Sequence, residues 1–111
     1  AALGTCLNRR VTVQRFAEAG ANSDWGRERI ADVIAARPDL VLISAGFDAH
    51  TRDPLAEINL LEDDFDWATG RLMDIAGRHS SNRLVSLLEG GYDLKGMSLS
   101  AAAHIARLMR G

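Results

Sequence analysis

Arg37-Pro38-Asp39-Leu40-Val41-Leu42-Ile43-Ser44-Ala45-Gly46-Phe47-Asp48-Ala49-His50 is the stretch on which the fold turns. Pro38 disfavours helical backbone at Arg37, so a helix arriving from upstream ends there. Leu40-Val41-Leu42-Ile43 is apolar without a break and too short for a good helix. Continuous rather than alternating hydrophobicity predicts a strand buried on both faces, as in a parallel sheet. The strand opens into a long loop, from Ser44 to about Asp63, that carries Gly46, Asp48, His50, Asp53 and Pro54. Loops of that length inside a compact domain are usually functional or disordered.

Upstream, Ser23 or Asp24 can cap a helix over 24–37, with Ile30, Val33 and Ile34 on one face. Residues 1–23 read as a poorly defined N-terminal segment with a short strand around 10–16. Downstream, Asp63 or Asp64 caps a second helix to about His79, whose apolar residues Phe65, Ala68, Leu72, Ile75 and Ala76 fall at helical spacing. Ser80-Ser81-Asn82 makes a turn, Leu84-Val85-Ser86-Leu87-Leu88 a second buried strand, and Gly90-Gly91 ends it. A last helix is expected from Lys95 or Met97 to Met109, with Met97, Ala101, Ile105 and Leu108 along one face and the methionines Met97 and Met109 filling core space. Helix, strand, helix, strand, helix is the pattern of an α/β fold, a parallel sheet with helices on both faces.

The chain has 111 residues, enough for one domain. Hydrophobic residues at 47% and charged residues at 25% exclude disordered, collagen-like and coiled-coil classes. Thirteen Lys and Arg against fifteen Asp and Glu, a net charge of −2, give no reason to expect nucleic acid or an acidic membrane as partner. The longest apolar run, Leu40 to Phe47, falls far short of the ~20 residues of a membrane helix, and no secretory h-region is visible at the N-terminus. Cys6 stands alone, so no intrachain disulfide forms. A lone thiol fits a reducing compartment, and a cytoplasmic location is expected. The chain begins Ala1-Ala2-Leu3 without a methionine, which raises the expectation of a piece of something longer.

In an open α/β sheet, ligands bind beyond the carboxyl ends of the parallel strands. If the two strands are parallel, Asp48 and His50 after the first, and Gly90, Gly91 and Tyr92 after the second, share one edge. Asp48 can ligate a metal or act as a base, or it can simply bond loop backbone N–H groups. Asp48 and His50 sit two residues apart, and on extended backbone such a pair shares a face and can reach one ion. A plain loop histidine is the alternative. Tyr92 follows a glycine pair that lets the backbone turn sharply. A phenol can donate to a developing oxyanion, or Tyr92 can serve as an anchoring aromatic. His104, in the apolar stripe of the last helix, is expected to be a packed and hydrogen-bonded histidine. Neither a nucleotide-binding glycine motif nor a phosphate loop is legible around Gly90.

Arg37 through His50, followed by Asp53-Pro54-Leu55-Ala56, resembles the histone deacetylase superfamily, most closely its class II-like and acetylpolyamine amidohydrolase branches. Leu88-Glu89-Gly90-Gly91-Tyr92-Asp93-Leu94 resembles that family's C-terminal glycine–tyrosine motif, and the likeness spans about 24–109. The resemblance implies that 24–111 is the C-terminal part of a three-layer arginase/deacetylase-like catalytic domain. It implies that Asp48 is a ligand of a catalytic zinc and that Tyr92 polarises the substrate carbonyl. Leu55 would line the tunnel for the acylated side chain, and Gly90 and Gly91 would hold the backbone close to that pocket. His50 matches a variable position and would stand behind the ligands.

The activity implied is zinc-dependent hydrolysis of acetyl-lysine or acetylpolyamine-type substrates. The family's His-His tandem and its Asp-x-His zinc pair are not found in this chain, whose only histidines are His50, His79 and His104. The expectation is therefore a fragment that is inactive alone and holds zinc weakly. Its partner would be the N-terminal part of the domain, with an exposed sheet edge through which the chain can also pair with itself. The alternative is a stand-alone α/β interaction or dimerisation module with a degenerate, non-catalytic site.

Overall fold

The computed structural model describes Ala35 and residues 37–111. The segment 1–23, Cys6 and the expected helix over 24–37 lie outside the described residues, but for Ala35 and Arg37.

Residues 37–111 form two strands and two helices in alternation: β1 (Val41–Ala45), α1 (Glu62–His79), β2 (Leu84–Leu88) and α2 (Leu94–Arg110). The strands pair in parallel, with Val41 opposite Leu84 and Ala45 opposite Leu88. Their carboxyl ends therefore lie at one edge, and the α/β reading holds.

Chemistry close to the chain sets the helix ends. Asp63 and Asp64 do not cap α1. Leu61 is the extended residue before it, and the Asp64 carboxylate reaches back to accept the Leu61 N–H at 2.8 Å. Glu62, Asp63 and Asp64 then occupy the first turn, where negative charge suits the helix dipole. At the other end the N–H groups of Ser80 and Asn82 both donate to the Ala76 carbonyl, at 2.8 and 3.0 Å. Ser81 and Asn82 take left-handed backbone (φ 50 and 60) to close the turn. The buried Ser80 hydroxyl donates to the Pro38 carbonyl at 2.6 Å, which ties this turn to the start of β1.

His104 shows how the layers stack. Its Nδ1 lies 2.7 Å from Thr69 Oγ1 on α1, and its Nε2 lies 2.8 Å from Ser86 Oγ on β2. One imidazole on α2 thus touches α1 and the sheet, so both helices cover the same sheet face. Val41, Phe47, Ile75 and Ala76 are the buried apolar residues there. Phe47 packs edge-on against Phe65 and His104, with ring centroids 5.3 and 5.9 Å away.

Three expectations need correction. The strands are not buried on both faces: Leu42 is 63% exposed, and Val85 and Leu87 are exposed beside it. With both described helices on one side, nothing among the described residues covers the other. The buried stripe of α2 is Gly96, Ser100 and His104, one turn apart each, while Ile105 and Met109 face outward. Close approach to α1 and β2 selects small and hydrogen-bonding residues over bulky apolar ones. Met97 packs against Gly91, whereas Met109 fills no core space.

Candidate functional site at the strand ends

The parallel ladder continues past both strands. Glu89 N–H donates to the Ala45 carbonyl at 3.0 Å, and Phe47 N–H donates to the Gly90 carbonyl at 2.8 Å. This holds Gly46-Phe47-Asp48 alongside Gly90. A Cβ on Gly46 would sit 3.1 Å from Asp48 Oδ1, and one on Gly90 would sit 3.2 Å from the same oxygen. Both contacts are tighter than a side chain tolerates without displacement. Two glycines, one from each strand end, therefore make the room that the Asp48 carboxylate occupies.

Asp48 and His50 do not sit on one extended run, because Asp48 and Ala49 form a turn. His50 N–H donates to the Phe47 carbonyl at 3.2 Å, which closes a turn, and i and i+2 side chains no longer share a face as they would in a strand. His50 is 2% exposed. Its Nδ1 accepts the Arg52 N–H at 3.1 Å, so Nε2 carries the proton, 3.4 Å from Glu62 Oε1. The ring lies against Gly96 in the first turn of α2, where a Cβ would come within 2.7 Å of Nδ1. His50 thus packs the loop onto α2. The Glu62 carboxyl is held below its usual range by its own backbone N–H, against the effect of burial, with help from His50 and Lys95.

The loop between β1 and α1 is ordered by backbone bonds. Leu60 N–H donates to Ala49 and Thr51 N–H to Leu60, at 3.0 and 2.9 Å, which sets His50 beside Leu60 in a parallel bridge.

Asp53 is the residue that sequence reasoning passed over as a site residue. Its carboxylate is buried; Oδ1 accepts the Leu55 N–H at 2.9 Å, while Oδ2 accepts the Tyr92 N–H at 2.7 Å and the Asp93 N–H at 3.4 Å. Burial penalises its charge, but the Tyr92, Leu55 and Asp93 donors outweigh that penalty and lower its pKa, with the nearby Asp93 charge opposing. Two signals were legible at Asp53: its place in the Asp53-Pro54-Leu55-Ala56 motif, and an Asp before Pro in a loop, which marks a side chain bonding backbone two residues on; the reach to Tyr92 had none.

Asp93 caps α2. Its Oδ1 accepts the Gly96 N–H at 2.6 Å and pairs with Arg52 Nε at 3.1 Å. The Gly96 bond, against burial, and Arg52 lower its pKa. Gly91 adopts φ 139, and a Cβ there would meet Met97 Cγ at 2.9 Å. Tyr92 and Leu55 are both largely exposed, at 62% and 64%. The structure therefore brings Asp48 beside Gly46 and Gly90, joins Leu55 to Tyr92 through Asp53, and turns His50 toward α2.

Among the described residues, no three His, Cys, Asp or Glu side chains are grouped to hold a metal ion. A catalytic zinc takes three protein ligands, so Asp48 by itself does not fit one. No described helix is long and apolar enough to cross a membrane.

The family described as "Histone deacetylase domain" matches residues 4–108. The chain belongs to the histone deacetylase family. The match starts ahead of residue 24, where the motif resemblance begins. "Type-2 histone deacetylase 1" of Dictyostelium discoideum is 44% identical over 72 residues, which is 65% of this chain and 5% of that protein. "Histone deacetylase-like amidohydrolase" of Pseudomonas aeruginosa is 46% identical over 56 residues, 50% of this chain and 15% of that one. Among solved structures, the HDA15 HD domain superposes with a TM-score of 0.65 at 38% identity, covering 71% of this chain and 21% of that chain. The chain thus spans a small part of the deacetylases it matches, and its α/β arrangement is theirs.

Proposed function

We propose that this chain is the C-terminal part of the catalytic domain of a zinc-dependent amidohydrolase. The substrate class is acetyl-lysine or acetylpolyamine-type amides, the products are acetate and a free amine, and the chain alone is inactive. The observation that carries the reading is the convergence of Asp48 with the Gly90-Gly91-Tyr92 turn at the carboxyl ends of two paired parallel strands, in a chain of the histone deacetylase family.

In this reading Asp48 supplies one oxygen ligand to the zinc, and the remaining ligands and the general base come from outside the described residues. Tyr92 donates its phenolic hydrogen to the substrate carbonyl as negative charge grows there, a role worth several kcal/mol in acyl transfer generally. Leu55, exposed beside it, contributes an apolar wall for the acylated side chain. The test is hydrolysis of an acetyl-lysine peptide and of an acetylated polyamine by the complete domain, with Asp48→Asn and Tyr92→Phe variants. Both variants are expected to lose at least about 100-fold in kcat while folding normally. A Tyr92→Phe enzyme with full activity would remove the oxyanion role.

The sheet face of Leu42, Val85 and Leu87, which no described residue covers, supports a second reading, a non-catalytic module that pairs with a copy of itself. Turnover by the complete domain separates the two.

A further inference from the structure

We propose that Asp53 is the positioning residue for Tyr92, acting on the tyrosine's backbone rather than on its phenol. This rests on the reading of Tyr92 as oxyanion donor. Tyr92 follows two glycines, one of them at φ 139, so its own chain gives it little stiffness. With 62% of its surface exposed, packing does not fix it either. What grips it is the peptide N–H, donated at 2.7 Å to Asp53 Oδ2, and the next N–H, donated to the same oxygen at 3.4 Å.

Asp53 is suited to act as a strut. It is 9% exposed, and among the described residues no Lys or Arg pairs with it. Its oxygens are spent on backbone donors from its own loop and from a segment that begins 39 residues further along the chain. Because Oδ1 holds Leu55 at 2.9 Å, one rigid carboxylate fixes the spacing between the wall for the acyl chain and the phenol that meets the carbonyl. Misplacement of a reacting group by about 1 Å can cost about 100-fold in rate.

Asp53→Asn keeps the shape and exchanges one acceptor oxygen for an NH2. Either flip then sets a donor against a donor, at Tyr92 or at Leu55. In the complete catalytic domain, Asp53→Asn should lower kcat by roughly 10- to 100-fold with KM nearly unchanged. In a Tyr92→Phe background the same substitution should add nothing to the loss. Full activity of Asp53→Asn where Tyr92→Phe is crippled overturns the proposal and leaves the oxyanion reading standing. Equal losses in both backgrounds also overturn it, because a merely structural role does not depend on the phenol.

If Tyr92→Phe keeps full activity, the oxyanion reading fails instead, and amide hydrogen exchange decides the grip separately. Exchange at Tyr92 and Asp93 should speed up at least tenfold in Asp53→Asn while Leu87 in the strand is unchanged; unchanged exchange at Tyr92 overturns the grip. Should the variant not fold, the wild-type amide of Tyr92 decides: slow exchange in a residue so exposed supports the grip, and fast exchange overturns it.

Discussion

Thr69 Oγ1 donates to the Phe65 carbonyl at 2.6 Å, so its 2.7 Å contact with His104 Nδ1 must carry the imidazole's proton rather than its own. The direction of the whole chain follows. Ser86 O–H donates to His104 Nε2, His104 Nδ1–H donates to Thr69, and Thr69 donates to Phe65. Long-range 1H–15N spectra should report the Nδ1–H tautomer at His104, and an Nε2–H signal would contradict this order. Ser86→Ala strands the Nε2 acceptor and should cost about 1–2 kcal/mol in urea unfolding.

Acid should weaken the fold in two stages. Burial lowers the pKa of His104, so the folded state prefers the neutral ring. A group with a depressed folded pKa contributes stability above its unfolded pKa and loses it as pH falls through the folded value. For His104 the loss begins below about pH 6.5. Asp53, Glu62 and Asp93 are depressed as well, and their contribution fades below about pH 4. Thermal melts between pH 8 and 3 should show both steps, and His104→Gln should flatten only the upper one.

Three glycines should resist substitution for different reasons. Gly91→Ala meets both a left-handed φ of 139 and Met97 Cγ at 2.9 Å, so a loss of about 1–3 kcal/mol is expected. Gly96→Ala drives a methyl to 2.7 Å from the ring of buried His50 and should be comparably damaging. Gly90→Ala presses on Asp48 Oδ1 at 3.2 Å and should lower turnover of the complete domain more than it lowers its melting temperature. Gly70→Ala should be nearly silent, because it meets only the movable end of Arg107.

The sheet face that no described residue covers should make the isolated chain associate. Leu42 and Val85 are register partners, and Leu87 lies opposite Ser44, so the exposed apolar groups are contiguous. Sedimentation velocity should show concentration-dependent oligomers, and Val85→Thr combined with Leu87→Lys should reduce them. A monomer at all concentrations would argue against pairing through this face.

The strands and helices were legible because their apolar spacing and breakers act locally. Leu84–Leu88 and the end of α1 at His79 were read correctly for that reason. The buried face of α2 was not, because Gly96, Ser100 and His104 are chosen by what they touch on other elements. Asp48, Gly90, Gly91 and Tyr92 could be singled out as motif residues. The turn that separates His50 from Asp48, and the reach of Asp53 to Tyr92, depend on bonds between distant segments and leave no local pattern.

The pairing of β1 with β2 also governs when the site can exist. Val41 and its partner Leu84 are far apart in sequence, and contacts of such separation must pay loop-closure entropy before they are rewarded. Asp48 meets Gly90 only after that closure, and only in one register. A slip of two residues would keep every strand side chain on its own face yet carry Tyr92 roughly 7 Å along the strand direction. The Phe47-to-Gly90 hydrogen bond and the room that Gly90 leaves for Asp48 both penalise that slip. Site geometry and strand register are thereby one condition: a misregistered sheet is one in which the carboxylate loses the room that Gly90 leaves for it.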